Sequence, residues 1–189
     1  MTETLDLDFT DTPATAPAGN PDRFTSRWHL VGAGLSNVWR YGNLELPAMS
    51  GRLLLRGPNG TGKTTALEAL WPFLLDLDHG QGKLSAGKAR TTTLKQLMAE
   101  GAKEKGRRYG YVWLTVAPPA GANEPVQVTY GVRLQYSPSA SPAVTIVPFT
   151  VPARPVQDFA LETATGSALE HDDFTRLIET HGGQVFADP

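Results

Sequence analysis

The stretch Arg52–Asp76, RLLLRGPNGTGKTTALEALWPFLLD, decides what the sequence predicts for the fold. Within it, GPNGTGKT at Gly57–Thr64 satisfies the pattern G-x-x-x-x-G-K-[ST] of a phosphate-binding loop. The apolar run before it, Gly51–Gly57, is bounded by glycines and is typical of a buried strand. Apolar residues at helical spacing follow the loop and predict a helix, which Pro72 is expected to end or kink. The sequence therefore predicts a strand, a phosphate loop and a helix in succession.

The chemistry of such a loop assigns a role to each residue type. Backbone N–H groups surround phosphate oxygens beside the positive end of the helix, and glycines permit the close approach. Lys63 is the predicted catalytic residue because it brings a positive charge to the β and γ phosphates, and the Thr64 hydroxyl is the predicted Mg²⁺ ligand. Thr65 is placed to donate to an α-phosphate oxygen. The cofactors predicted are ATP and Mg²⁺, and the alternative is a chance match in a glycine-rich turn. The predicted nucleotide-binding residues of the loop are Gly57, Pro58, Asn59, Gly60, Thr61, Gly62, Lys63, Thr64 and Thr65.

Length and composition limit the class of protein. A chain of 189 residues predicts one domain and a tail, here a flexible leader over 1–25 and a domain over 26–189. A net charge of −2 gives no overall attraction to nucleic acid or membrane. The absence of cysteine, of a secretory signal and of an apolar run long enough to cross a bilayer favours a cytoplasmic protein without a membrane partner.

Hydrophobic patterns predict the other elements. The segment Arg27–Pro47 is expected to form two short strands or one bent strand, with a turn at Gly42–Asn43. A short helix is predicted around TTLKQLMAEGA. A last helix is predicted to begin at Asp172 or Asp173 and to end before Gly182. Between them, a meander of antiparallel strands is predicted from the runs YGYVWLTV, PVQVTYGVRLQY and AVTIVPFTV.

The residues that fill the loop, GPNGTGKTT, resemble the ABC-type ATPase heads of SMC proteins, in which the loop reads G-P-N-G-[ST]-G-K-[ST]. The segments NVWRYGNLEL, LWPFLLD and GYVWLTV look like the SMC-like subunit of Wadjet-type bacterial anti-plasmid systems, and the resemblance runs from about Arg27 to the last residue. It implies an α/β fold of the P-loop NTPase class: an N-terminal half-head with a mixed sheet and an antiparallel strand meander. It also implies DNA, a second SMC-like head and kleisin-type subunits as partners.

Members of this family carry a glutamine loop, a signature loop and an acidic strand beyond the phosphate loop. LSAGK at Leu84–Lys88 imitates the signature loop but follows Lys63 too closely, and Asp76 and Asp78 follow the helix too directly to end a parallel strand. Gln157 begins a predicted helix and is interpreted as structural. The chain is therefore expected to be an incomplete head that ends before its glutamine loop and is nearly inactive alone.

Two further groups are candidates for binding. Trp39, Arg40 and Tyr41 lie where ABC-type heads often contact adenine, and Arg40 is the predicted adenine contact; the alternative is that these side chains pack under the loop. From Lys83 to Arg108 there are eight Lys or Arg residues against two Glu. This basic run could bind DNA phosphates, or it could be a solvated loop.

The function predicted is therefore that of the ATP-binding N-terminal portion of an SMC-like ATPase that acts on DNA, in anti-plasmid defence or chromosome maintenance. One alternative is a compact P-loop kinase or NTPase that uses Asp76 or Asp78. The other is a non-catalytic, truncated remnant.

Overall fold

The computed structural model describes residues 27–75, 94–100, 106–119, 127–163 and 167–186, and within 71–75 it describes the backbone alone. The leader predicted over residues 1–25 lies outside the described residues.

One antiparallel sheet forms the centre of the fold, with strand order β2-β1-β3-β4-β5-β6. Each neighbouring pair is antiparallel. The predicted meander is confirmed, since its three runs form consecutive hydrogen-bonded strands. The strands are β1 (His29–Val38), β2 (Tyr41–Pro47), β3 (Arg108–Ala117), β4 (Val128–Tyr136), β5 (Val144–Val151) and β6 (Gln184–Val185).

Three helices of the described residues pack on the two faces of this sheet: α1 (Lys63–Leu75), α2 (Leu94–Glu100) and α3 (His171–Thr180). Successive side chains of a strand point to opposite faces, so each central strand supplies two cores. On one face, α1 and α2 bury residues such as Ala69 and Leu97 among the sheet residues. On the other, α3 buries Phe174 and Ile178 against β3 and β5. The predicted helices around residues 63–75 and 94–100 are confirmed.

The predicted fold class is wrong. An α/β fold of the P-loop NTPase class has a mainly parallel sheet, whereas every strand pair here is antiparallel. The strand predicted over Gly51–Gly57 does not form: residues 53–58 have no regular secondary structure and no sheet partner. Leu53 and Leu55 pack against the core, but Leu54 between them is 70% exposed. The leucine run predicts a strand that is buried on both faces. In the structure, only the side that carries Leu53 and Leu55 is buried.

The turn between β1 and β2 also differs from the prediction. It falls at Trp39–Arg40 and not at Gly42–Asn43, which lies within β2. Asn37 and Trp39 adopt positive φ angles of 53° and 52°, a conformation that non-glycine residues seldom take. The residues themselves give no sign of this turn, because its stabilising contacts come from β3.

Three smaller predictions about helices are corrected. Glu170, not Asp172 or Asp173, is the N-cap of α3, and it makes no side-chain capping bond. Of the two effects expected of Pro72, an end or a kink, the end does not occur, since α1 continues to Leu75. Gln157 lies in a turn and not in a helix, and it donates to Glu45 Oε2. At the other end of α3 the prediction holds, since Gly182 with φ of 74° follows the last turn.

No helix within the described parts of the chain is long and apolar enough to span a membrane.

Candidate phosphate-binding site

The phosphate loop leads directly into the first turn of α1. The Ala66 N–H donates to the Gly62 carbonyl at 2.9 Å, which is the first bond of the helix. The amides of Lys63, Thr64 and Thr65 therefore precede the first intrahelical donor and remain available to a ligand. The positive end of the helix dipole lies at the same place. The helix predicted after the loop is therefore present, whereas the strand predicted before it is not.

Glycine is required at three positions of the loop. Gly57, Gly60 and Gly62 have φ angles of 151°, 86° and 86°, which L side chains rarely adopt. A Cβ at Gly62 would also overlap the Tyr41 hydroxyl and lie 2.9 Å from Trp39 Cζ3. The glycine spacing of the motif therefore has a backbone reason in this chain, and the loop curves as the motif predicts.

Lys63 lies across the loop that precedes it. Its Nζ donates to the carbonyl oxygens of Gly57 at 2.7 Å and Pro58 at 2.6 Å. Pro58 also accepts a bond from Thr61 Oγ1 at 3.0 Å, so the loop is closed by side chains from within the motif. The ammonium is thus held against the first two residues of the loop. A phosphate oxygen could replace the two carbonyls as its hydrogen-bond acceptor.

Thr64 suits the predicted metal role by its position. It is the second residue of α1, and its side chain is exposed beside the loop. The described residues contain no group of three or more His, Cys, Asp or Glu side chains that could hold a metal. A loop hydroxyl is one of the ligands that a phosphate-bound Mg²⁺ takes, together with phosphate oxygens, water and a carboxylate, and no acidic cluster of the described residues supplies that carboxylate.

Tyr41 and Trp39 support the loop from the β1–β2 hairpin. The Tyr41 hydroxyl donates to the Gly62 carbonyl at 2.7 Å. The two rings meet edge to face, with centroids 5.3 Å apart. Burial raises the pKa of Tyr41 to about 12, so the phenol stays protonated and remains a donor across the physiological range. Of the two sequence interpretations, packing under the loop is the one found for these residues.

Arg40 occupies a different place from its aromatic neighbours. Its guanidinium lies 5.3 Å from the Trp39 ring centroid, and Nη2 is 3.6 Å from Glu100 Oε1 of α2. Both side chains of this ion pair are more than half exposed, so it contributes little to stability. The predicted adenine contact by Arg40 stays a prediction, and in this structure the side chain faces α2.

Arg108 fixes the hairpin that carries Tyr41. It is buried at the start of β3, and its Nη2 donates to the Trp39 carbonyl at 2.7 Å and to Asn37 Oδ1 at 3.1 Å. Its Nη1 donates to the Met98 carbonyl of α2 at 2.9 Å. Burial lowers the pKa of Arg108, as expected for a charged group removed from water. The guanidinium of this β3 residue thus links α2 to Asn37 and Trp39, the two residues of the β1–β2 turn region with positive φ.

The basic run that includes Arg108 was expected either to bind DNA phosphates or to form a solvated loop, and neither interpretation holds for this buried residue. Its donors are used inside the protein, whereas the neighbouring Arg107 is exposed. Lys103 and Lys105, of the same run, lie outside the described residues, as do Asp76, Asp78 and the segment 84–88 that imitates a signature loop.

Replacing Arg108 by methionine should destabilise the fold. The variant keeps a long apolar side chain but leaves the carbonyls of Met98 and Trp39 and the Asn37 amide without their charged donor. We expect the free energy of unfolding to fall by roughly 1.5–3 kcal/mol, measured by urea denaturation. Arg107→Met is the matched control and should change stability by less than about 0.5 kcal/mol. Equal stabilities of the two variants would contradict the bridging role.

Sequence reasoning missed the Tyr41 contact with Gly62 and the buried place of Arg108. Both are contacts between distant parts of the chain, separated by 21 residues for Tyr41 and 69 for the bond from Arg108 to Trp39. The aromatic and basic residues were visible in the sequence, but their partners were not.

Comparison of this chain with protein-family models and with curated proteins found no match.

Proposed function

We propose that this protein binds Mg-ATP at the loop Gly57–Thr64. The observation that carries the proposal is the loop itself. Glycines with positive φ bend the backbone around the Lys63 ammonium, and the free amides of the first turn of α1 follow directly. Amides, a helix N-terminus and a cation at one point form an anion site suited to a polyphosphate.

The groups present fit ATP and Mg²⁺ by their chemistry. Lys63 would exchange its bonds to Gly57 and Pro58 for bonds to phosphate oxygens, which carry more negative charge than a carbonyl. Thr64 would supply its hydroxyl to the metal, and Thr65 would donate to the α-phosphate. When bound, Mg²⁺ neutralises charge on the phosphates.

In the wider proposal, the protein is the ATP-binding N-terminal portion of a cytoplasmic SMC-like ATPase that acts on DNA. Support comes from the residues that fill the loop and from the similarity around it, and not from the sheet, whose antiparallel order differs from that expectation. The partners proposed on this basis are DNA, a second SMC-like head and kleisin-type subunits. Engagement of two heads around ATP would then drive anti-plasmid defence or chromosome maintenance.

Calorimetric titration with ATP, in the presence and absence of Mg²⁺, tests the proposal. Replacing Thr64 by alanine should weaken Mg-ATP binding by about tenfold, because a metal ligand is lost. It should leave the weaker binding of metal-free ATP unchanged, and Thr64→Ser, which keeps the hydroxyl, should restore the Mg²⁺ effect. An equal loss with and without Mg²⁺ would show that Thr64 does not act through the metal.

The same samples distinguish the alternatives. Substantial ATP hydrolysis or phosphate transfer by the chain alone would favour a compact kinase or NTPase. A folded protein that binds no nucleotide would favour the non-catalytic remnant and would overturn the proposal.

A further inference from the structure

We infer that Tyr41 is a positioning residue that keeps the phosphate loop in its binding shape. The inference rests on the proposed function and adds a residue outside the loop motif to it. Its basis is the contact between the β1–β2 hairpin and Gly62, the last glycine before α1.

The Gly62 carbonyl is held by two donors. The Tyr41 hydroxyl lies 2.7 Å from it and the Ala66 amide 2.9 Å. This carbonyl and the Lys63 N–H belong to one planar trans peptide, in which the C=O and N–H bonds point in opposite directions. A bond that fixes the carbonyl therefore also fixes the direction of the Lys63 amide, one of the predicted phosphate donors.

The phenol itself is held from two sides. The Trp39 ring contacts it edge to face, and the space on the side of Gly62 is too small for a Cβ. Arg108 holds the Trp39 carbonyl, so the turn that carries both rings is tied to β3 and to α2. The hydrogen bond from the Tyr41 hydroxyl to the Gly62 carbonyl thus attaches the loop to a turn that is itself fixed to the sheet.

The test compares Tyr41→Phe with Tyr111→Phe. Tyr111 is a matched control because its hydroxyl also donates to a backbone carbonyl, that of Leu169 at 3.4 Å, but from the core on the side of α3. Tyr41→Phe should raise the Kd for Mg-ATP by about 2- to 10-fold, the range expected for one hydrogen bond. Tyr111→Phe should leave the Kd unchanged, and thermal unfolding reports whether both variants fold.

Hydrogen exchange in the nucleotide-free protein gives a second measurement that does not need ATP. In Tyr41→Phe, the peptide covering residues 57–66 should exchange faster than in the wild type, and in Tyr111→Phe it should not. If wild-type protein binds no Mg-ATP, the proposed function fails, while exchange still decides whether Tyr41 orders the loop. If the wild type binds and Tyr41→Phe matches it in both affinity and exchange, the inference about Tyr41 is overturned.

Discussion

Replacing Lys63 by alanine should abolish measurable binding of Mg-ATP. The ammonium is the one side-chain cation that the structure places within the loop, where it bonds to Gly57 and Pro58. Its loss removes a charge-assisted bond to the phosphates and also the two bonds that close the loop. Together these should weaken binding by about 100-fold, which takes a weakly bound nucleotide out of calorimetric range.

Lys95→Ala is the control for the loss of a positive charge. Lys95 is an exposed lysine of α2, outside the loop, and its replacement should leave the Kd unchanged. Unaltered Mg-ATP affinity in Lys63→Ala, with a normal thermal transition, would show that the phosphate loop is not the nucleotide-binding site.

Replacing Phe174 by alanine should cause the largest loss of stability. The ring is fully buried where α3 meets the sheet, with centroids 5.3 Å from Tyr111 and 5.2 Å from Phe149. The Arg133 guanidinium, also buried, lies 5.9 Å from the same ring. A cavity here should cost about 3–5 kcal/mol, a large share of the roughly 5–15 kcal/mol that stabilises an ordinary domain.

Urea denaturation measures this loss, and Phe186→Ala is its control. Phe186 is 39% exposed beyond β6, so its replacement should cost much less. Similar midpoints for the two variants would show that α3 is not part of the cooperative core.

Local patterns predicted much of the secondary structure. The β-branched and aromatic runs of β3, β4 and β5 were sufficient, because strands with a core on both faces carry apolar residues almost continuously. The beginning of α1 was predictable because the loop motif, which ends at Thr64, opens a helix and apolar residues at helical spacing follow it directly. These signals lie within a few residues of the elements that they specify.

The fold class was not predictable in the same way. A run such as Leu53–Leu55 indicates burial, but it does not say which strand, if any, pairs with its backbone. Here the run packs one side on the core and pairs with no strand, and the sheet is built from hairpins instead. The α/β class with a mixed sheet was inferred from the resemblance to other proteins, and this chain, whose sheet is antiparallel, does not share that property.

The candidate site was likewise predictable only where it depends on local sequence. The loop residues were predictable from spacing, because a phosphate cradle is a local backbone structure. The support beneath the loop was not, because Tyr41, Trp39 and Arg108 reach it from other elements. Positive φ at Trp39 shows the difference clearly: the bond that holds its carbonyl comes from a side chain on β3.

Binding of phosphates in the loop Gly57–Thr64 can be observed residue by residue, by backbone amide NMR during a titration with Mg-ATP. We expect saturable shifts at Gly57, Gly60, Gly62, Lys63 and Thr64, with little change in β4 and β5. Shifts confined to other parts of the protein, or none at saturating nucleotide, would contradict it.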